Sequence, residues 1–372
     1  MNILAAASPG EIRVAAWDGA LADYAIDRPG APDGVGDLHR GRVLSRVPAL
    51  AGAVVAVAGA EGFLPDSQGG ADARDGALLG VQVTRAAQGG KGPRLTARLT
   101  AADAAATASG PQGLIRRGPG AIERLAALHP QAPVQVDDPA LLALLRPILG
   151  DRLVPGRLFA TGFPDAVEAA VEALAAAAVT LPGGARMTVT PTPALTAIDI
   201  DLAAATAERR AKGPAQAAAN RTLLPELARQ IRLRNLGGAI LVDLAGMPTR
   251  RRAALGPDFT AALAADPRQP RFLGFSALGL AEILRPRVHP PLHELLAGPH
   301  AAALAALRQA AAETAARPQV PLTLRAGAAV ADALQADRTA MDEYTRRAGQ
   351  ALRPTLDRSL PPLGWELGAT HG

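Results

Sequence analysis

Two stretches decide the fold: ALTAIDID at residues 194–201 and RQIRLRNLGGAILVDLAGM at residues 229–247. The first reads as a strand, preceded by the alternating strand Met187-Thr188-Val189-Thr190 and the turn Leu181-Pro182-Gly183-Gly184. A helix covers roughly 222–234. It ends at Gly237-Gly238 and places Arg229, Arg232 and Arg234 in its last turns, where cations are favoured. Ala239 to Leu244 is a continuously apolar strand interrupted by one acid, Asp243. Strand, helix and apolar strand make an α/β unit with a buried sheet. Asp199 and Asp243 each stand where an apolar residue is expected, and a carboxylate in such a strand is costly unless paired or bound to a cation. If the strands are neighbours, both carboxylates face the same end of the sheet. Mg²⁺ suits that arrangement, because it accepts one or two carboxylates and leaves positions for phosphate oxygens. Spacing alone leaves a second reading open, in which each aspartate caps the turn at its strand end.

Outward from this unit the chain changes character several times. Residues 1–34 read as short strands joined by turns, with Glu11 to Ala15 alternating and Asp18-Gly19 supplying a hairpin. Residues 35–100 stay strand-rich, through Arg42-Val43-Leu44, Ala53 to Val57 and Val81 to Thr84. Several short strands separated by glycine-rich turns fit a small closed barrel of the oligonucleotide-binding type. Ala101 to Ser109 reads as a low-complexity link, and short signals follow at Gly113 to Arg117 and Val134 to Asp138. A helix is expected over 164–178, with Val167, Val171 and Leu174 on one stripe. Beyond the proline-rich 286–291 segment, a helix (301–316), a strand (320–324) and a second helix (327–336) suggest a small α+β domain over 300–372.

Composition sets limits. The chain has 372 residues, 49% of them apolar, so several domains can be filled, but only 3% are aromatic. There is no cysteine, which excludes disulfides and thiolate zinc sites. His289 and His293 are separated by Pro290-Pro291, which breaks the helix that would join them as ligands. No apolar run is long enough to span a membrane, and the N-terminus lacks the basic region of a signal peptide, so a cytoplasmic location is expected. A net charge of +5 favours a polyanionic partner. Nearly all of that charge is arginine, in a chain dominated by Ala, Gly, Pro and Arg, and a GC-rich coding sequence produces the same pattern without selection.

The block ALTAIDID, followed by a helix and RQIRLRNLGGAILVDLAGM, resembles the nuclease core of the ribonuclease E/G family. That family shows A-L-T-A-I-D-[IV]-N, a helix with A-R-Q-L-R-L-R-[DN]-L-G-G, and an apolar strand ending in I-D-F-I-D-M. The resemblance runs upstream through LPGG at 181–184 and Asn220 before the helix, and downstream through GFSALGLAEILRPR at 274–287. It is looser over the first 100 residues, through DRPG, GDLHRGRV, EGFLP and GGKGPRLT. It implies a metal-dependent endoribonuclease for RNA processing or decay, ribosomal RNA included, with Asp199 and Asp243 holding Mg²⁺ against a phosphodiester of single-stranded RNA.

For the fold, the resemblance implies a split RNase H-like core with an inserted OB-fold RNA-binding barrel, to which the sequence pattern adds the small C-terminal α+β domain. The expected division is 1–34 as the first part of the RNase H-like subdomain and 35–100 as the barrel. A reduced 5′-sensor-like region and linker follow over 101–180, then the nuclease core over 181–290 and the α+β domain over 300–372. On the barrel, Phe63 takes the position of a base-stacking aromatic (a core aromatic being the other reading), and Arg40, Arg85 and Lys91 take basic positions suited to the backbone.

The chain departs from the family pattern at several points. Asp201 stands where the family has asparagine, so it joins the candidate catalytic set as a third carboxylate that can accept hydrogen bonds but not donate. Gly246 replaces the second acid of I-D-F-I-D-M, and Ala277 replaces an arginine. Arg117 survives from the family's 5′-phosphate sensor, but Gly118 stands where a threonine hydroxyl belongs. The zinc link that joins protomers is absent, so any homo-oligomer forms without it, and residues 101–112 look trimmed. These departures leave two functions: a working nuclease with altered regulation, or a catalytically weak or inactive RNA-binding protein on the same scaffold.

Overall fold

A computed structural model of the chain describes residues 1–156, 162–202 and 213–369. They form two compact units: Met1–Pro32 with Ala121–Pro286 and Pro291–Gly372, and Asp33–Gly120 with Arg287–Pro290. The fold is mixed α/β, as expected.

The smaller unit is built on a closed ring of five strands, Gly52–Val57, Ala60–Pro65, Arg94–Thr96, Leu78–Arg85 and Leu38–Val47, the last pairing back to the first. Val43, Val55, Leu64, Val81, Val83 and Leu95 fill its interior. The ring closes because Leu38–Val47 is long and irregular. Its first half pairs with Leu78–Arg85 and its second half with Gly52–Val57, with a register shift between Val43 and Ser45. Closure gives each strand of the ring a neighbour on both sides, the join between Ala60–Pro65 and Arg94–Thr96 resting on the one register pair Phe63–Arg94.

Two segments expected elsewhere belong to this unit. Ala101–Thr107, read from sequence as a low-complexity link, is a helix whose start is capped by Thr100 Oγ1 accepting from the Asp103 N–H at 3.2 Å. Gly113–Arg116 adds a sixth strand beside Leu38–Val47. The compact unit therefore runs past the barrel limits of 35–100, to residue 120, and takes in 287–290 as well. Val288 accepts from the Ala86 N–H at 2.8 Å.

The larger unit holds three sheets. Asn2–Ser8, Glu11–Trp17 and Leu21–Asp27 form an antiparallel meander, with Gly19 at φ +74° turning the second hairpin. Val134–Val136 joins its edge in parallel, followed by Leu153–Pro155. One sheet thus draws strands from before and after the barrel segment.

The second sheet has six strands, in the order Ala178–Thr180, Arg186–Pro191, Leu195–Asp201, Gly238–Asp243, Ala281–Arg285 and Arg271–Phe275. The helix Gly213–Leu233 begins well before the expected residue 222, so Asn220 lies within it. The arginines expected to stabilise its own C-terminal end bind neighbouring elements instead. Arg229 and Arg232 donate to the carbonyls of Leu21 and Ala22, and buried Arg234 donates to the Ala176 carbonyl at 2.7 Å.

The third sheet, Pro354–Leu356, Leu322–Ala326 and Trp365–Ala369, packs with the helices Gly298–Ala316, Ala328–Ala336 and Arg338–Ala348 around Leu304, Leu307, Leu324 and Tyr344. The last helix and both flanking strands lie beyond the elements expected for this region. That helix, RTAMDEYTRRA, carries mostly polar side chains and buries only Ala340 and Tyr344, so its apolar stripe is thin.

Candidate functional site

Leu195–Asp201 and Gly238–Asp243 are adjacent parallel strands in register, and Asp199 is the direct partner of Asp243. Paired strands lie about 4.8 Å apart, and in-register residues project to the same side. The two carboxylates therefore rise from neighbouring backbone on one face. The identity of that face corrects the sequence argument. Thr196, Ile198 and Ile200 are buried, whereas Ala197, Asp199 and Asp201 are exposed. Ile240 and Val242 are buried, whereas Ala239 and Asp243 are exposed.

The helices Gly213–Leu233 and Gly256–Leu263 cover the apolar face, through Leu224, Leu227, Ile231 and Phe259. The sheet expected to be buried is buried on one face only, and the aspartates stand on the other. Asp243 keeps 53% of its side chain exposed. Solvation, joined at Asp243 by an ion pair with Arg252, explains why these strands tolerate acids, so the desolvation argument for a metal does not hold. What remains is the pairing itself.

Asp201 lies two residues further along the same exposed face, opposite Arg186. Among the described residues no three His, Asp, Glu or Cys side chains gather closely enough to hold a metal ion. Asp201 therefore does not complete a three-carboxylate cage with Asp199 and Asp243. Two carboxylates with open surroundings are nonetheless a donor set that Mg²⁺ accepts.

The segment after Asp243 is tied down by two side chains that sequence reasoning did not single out for this task. Asn220, fully buried, donates through Nδ2 to the carbonyls of Gln216 and Ala245 at 2.9 and 3.0 Å. Arg252 donates to the carbonyls of Leu244, Met247 and Gly279 and to Asp243 Oδ1, the last at 2.7 Å. Gly246, in place of the family's second acid, adopts φ +59°, a left-handed conformation that a non-glycine residue takes only with strain. Arg252 is one of three consecutive arginines, and nothing in the run distinguishes it from Arg250 and Arg251.

The barrel residues separate into two groups. Phe63, Arg94 and Arg85 sit side by side, because Arg94 is the register partner of both Phe63 and Arg85. Phe63 is half-buried, its ring laid against Gly52, where a side chain would clash. The Arg94 guanidinium lies 5.9 Å from the ring centroid, within cation–π range. Burial pushes the Arg85 pKa down, and the positive charges of Arg94 and Arg287 push it further the same way. Three arginines and an aromatic thus concentrate positive charge beside a stacking surface. Arg94 and Arg287 were within reach of the sequence, lying inside GGKGPRLT and at the end of GFSALGLAEILRPR, but only the fold brings them to Arg85.

Arg40 does not belong to this face. It pairs with Gly80, five residues and roughly 17 Å along the strand from Arg85, and its guanidinium donates to the Thr107 carbonyl at 3.2 Å. Lys91 is exposed in the turn that follows Leu78–Arg85, where it pairs with Gln88. Arg117 is committed to Asp37, which is 3% exposed, at 2.5 Å. The Gly118 N–H donates to the other oxygen of the same carboxylate at 2.8 Å. The backbone donor of Gly118 is therefore already engaged. Arg116 turns to a different partner, Asp103 at 2.9 Å.

The stretch of chain that carries the two aspartate strands is similar to known proteins. Residues 164–288, which contain the paired aspartates, match the model of the Ribonuclease E/G family. The chain is 35% identical over 130 residues to Ribonuclease E of Nostoc sp. and 37% identical over 131 residues to Ribonuclease E of Escherichia coli. These alignments take in 35% and 34% of this chain, but only 19% and 12% of the two relatives. Over this segment, about a third of its length, the chain is similar to the ribonuclease E/G family. Among the described residues, no helix is long and apolar enough to cross a membrane.

Proposed function

We propose that the protein is an endoribonuclease that cleaves single-stranded RNA with the help of Mg²⁺ held by Asp199 and Asp243. The observation that carries this reading is the in-register Asp199–Asp243 pair, set on an open sheet face inside the segment that matches the family. Bound between two carboxylates, a divalent ion supplies charge that stabilises a phosphodiester during in-line attack. The residues of the chain divide the remaining work. Asp199 and Asp243 provide fixed negative charge at neighbouring strand positions. Asp201, as an acceptor only, cannot donate to a phosphate as an asparagine would, so it orients water or repels the backbone.

Phe63 and Arg94 grip single strands by stacking and charge, with Arg85 and Arg287 adding to the positive field, a mode that reads no particular sequence. The five-stranded sheet that draws strands from both sides of the barrel segment suits the split RNase H-like arrangement. The engaged Arg117 and Gly118 favour an enzyme indifferent to the 5′ end of its substrate.

Incubation of the full chain with 5′-labelled single-stranded RNA, with and without Mg²⁺, tests the proposal. Internal cleavage only in the presence of Mg²⁺ is expected. Tight binding with no cleavage under either condition would instead make it a non-catalytic RNA-binding protein.

A further inference from the structure

We propose that Arg252 is a positioning residue for Asp243, holding one carboxylate oxygen so that the other is presented to the cation. This rests on the reading of Asp199 and Asp243 as a divalent-ion pair and adds a residue to it. Asp243 is 53% exposed, and surface carboxylates ordinarily sample several rotamers. Arg252 differs from a surface partner, since only 11% of its side chain is exposed and each of its nitrogens is committed. Nε donates to Met247 O at 2.9 Å and Nη2 to Leu244 O at 3.0 Å. Nη1 donates to Gly279 O at 2.8 Å and to Asp243 Oδ1 at 2.7 Å.

Three carbonyls from separate backbone points fix the plane of the guanidinium, so the fourth bond fixes the carboxylate. Oδ2 of Asp243 remains as the oxygen for an ion shared with Asp199. Only a planar fork of five donors reaches this set of acceptors; a lysine ammonium on its flexible stem cannot. Hydrogen bonds to metal-ligating carboxylates orient them, and removing such a bond typically costs 10–100-fold in metal affinity.

Two other roles make different predictions. A purely structural latch between residues 244–247 and the turn at Gly279 would leave ion affinity unchanged. A brake, in which the cationic side chain competes with the ion for Asp243, would make affinity rise when the charge is removed.

Calorimetric titration of Mg²⁺ into the full-length wild type, Arg252→Lys, Arg252→Gln, Asp243→Asn and Arg251→Ala separates these roles, with thermal melting recorded for each. The expected result is Mg²⁺ binding about 10–100-fold weaker in both Arg252 variants, and unchanged in Arg251→Ala, whose side chain is exposed. Unchanged or tighter binding in Arg252→Lys would overturn the assignment. So would loss of the fold in both Arg252 variants, which would make the residue a structural latch. Wild-type binding abolished by Asp243→Asn but untouched by Arg252→Lys would remove Arg252 alone. Absence of any Asp243-dependent binding would remove the metal reading and the assignment with it.

Discussion

Gly118→Ala adds one methyl to the barrel unit at a place with no room for it. A Cβ at residue 118 would overlap the Val35 carbonyl oxygen and stand 2.7 Å from the Gly36 carbonyl carbon, so backbone must move against backbone. Overpacking of this kind costs roughly 1–3 kcal/mol. The shift also pulls on the bond from the Gly118 N–H to Asp37 Oδ1, 2.8 Å long and made to a carboxylate that is 3% exposed. A hydrogen bond to a buried charge contributes about 1.5–3 kcal/mol. If that bond breaks, the two effects together come to about 2.5–6 kcal/mol. For a domain of 60–100 residues each kcal/mol moves the midpoint by about 4–8 °C, so a fall of roughly 10 °C or more is expected. Thermal unfolding followed by circular dichroism measures it. Gly118→Thr, which restores the hydroxyl of the family pattern, should be less stable still and should not create a preference for 5′-monophosphate RNA. A Gly118→Ala protein melting within about 2 °C of wild type would refute the reasoning, because it would mean the neighbouring chain yields without cost.

Arg94→Ala should weaken binding to all single-stranded RNAs alike and flatten the salt dependence, and Phe63→Ala should cost about 1–3 kcal/mol per stacked base. Arg40→Ala should leave RNA affinity at the wild-type value, because that side chain serves the helix Ala101–Thr107; filter binding across a salt series reads all three. Cleavage rates on matched 5′-hydroxyl and 5′-monophosphate RNAs should agree, and a clear advantage for the monophosphate would count against the engaged state of Arg117 and Gly118. Burial, the largest single influence, would raise the Glu168 pKa, but the hydrogen bonds and charge of Arg13, the Phe163 N–H and the charge of Arg308 together outweigh it and hold the carboxyl below its ordinary value. Its contribution to stability is therefore complete above the pKa of an unfolded glutamate and is lost as pH falls through the lower folded value. Glu168→Gln should accordingly narrow the gap in urea midpoint between neutral and acid pH.

The strands that matter were legible because their residues alternate or run apolar, and the pairing of Asp199 with Asp243 follows once two such strands are neighbours. The openness of that sheet face was not legible. AILVDL reads as an apolar run, and only the covering helices show that Ile240 and Val242 face the core while Asp243 does not. The helix Ala101–Thr107 was missed because an alanine-rich heptad offers no apolar stripe, although its cap at Thr100 was present in the sequence.

Side-chain pairings were the least legible features. Arg117 with Asp37, Arg116 with Asp103 and Arg252 with Asp243 join residues whose proximity depends on the turn, helix or strand edge between them. An arginine that looks free in sequence is the group most readily claimed by a nearby carbonyl or carboxylate. That is why Arg40 and Arg117 read as RNA contacts while the exposed Arg94, beside Phe63, did not stand out.

The most direct test of the paired aspartates is the Mg²⁺-dependent cleavage rate of Asp199→Asn and Asp243→Asn, measured beside their RNA affinity and melting temperature. Both side chains are exposed, and asparagine keeps their shape and the acceptor that faces Arg252, so fold and RNA binding should stay at wild-type values. Cleavage should fall to background in each. Either variant cleaving at the wild-type rate would contradict the account.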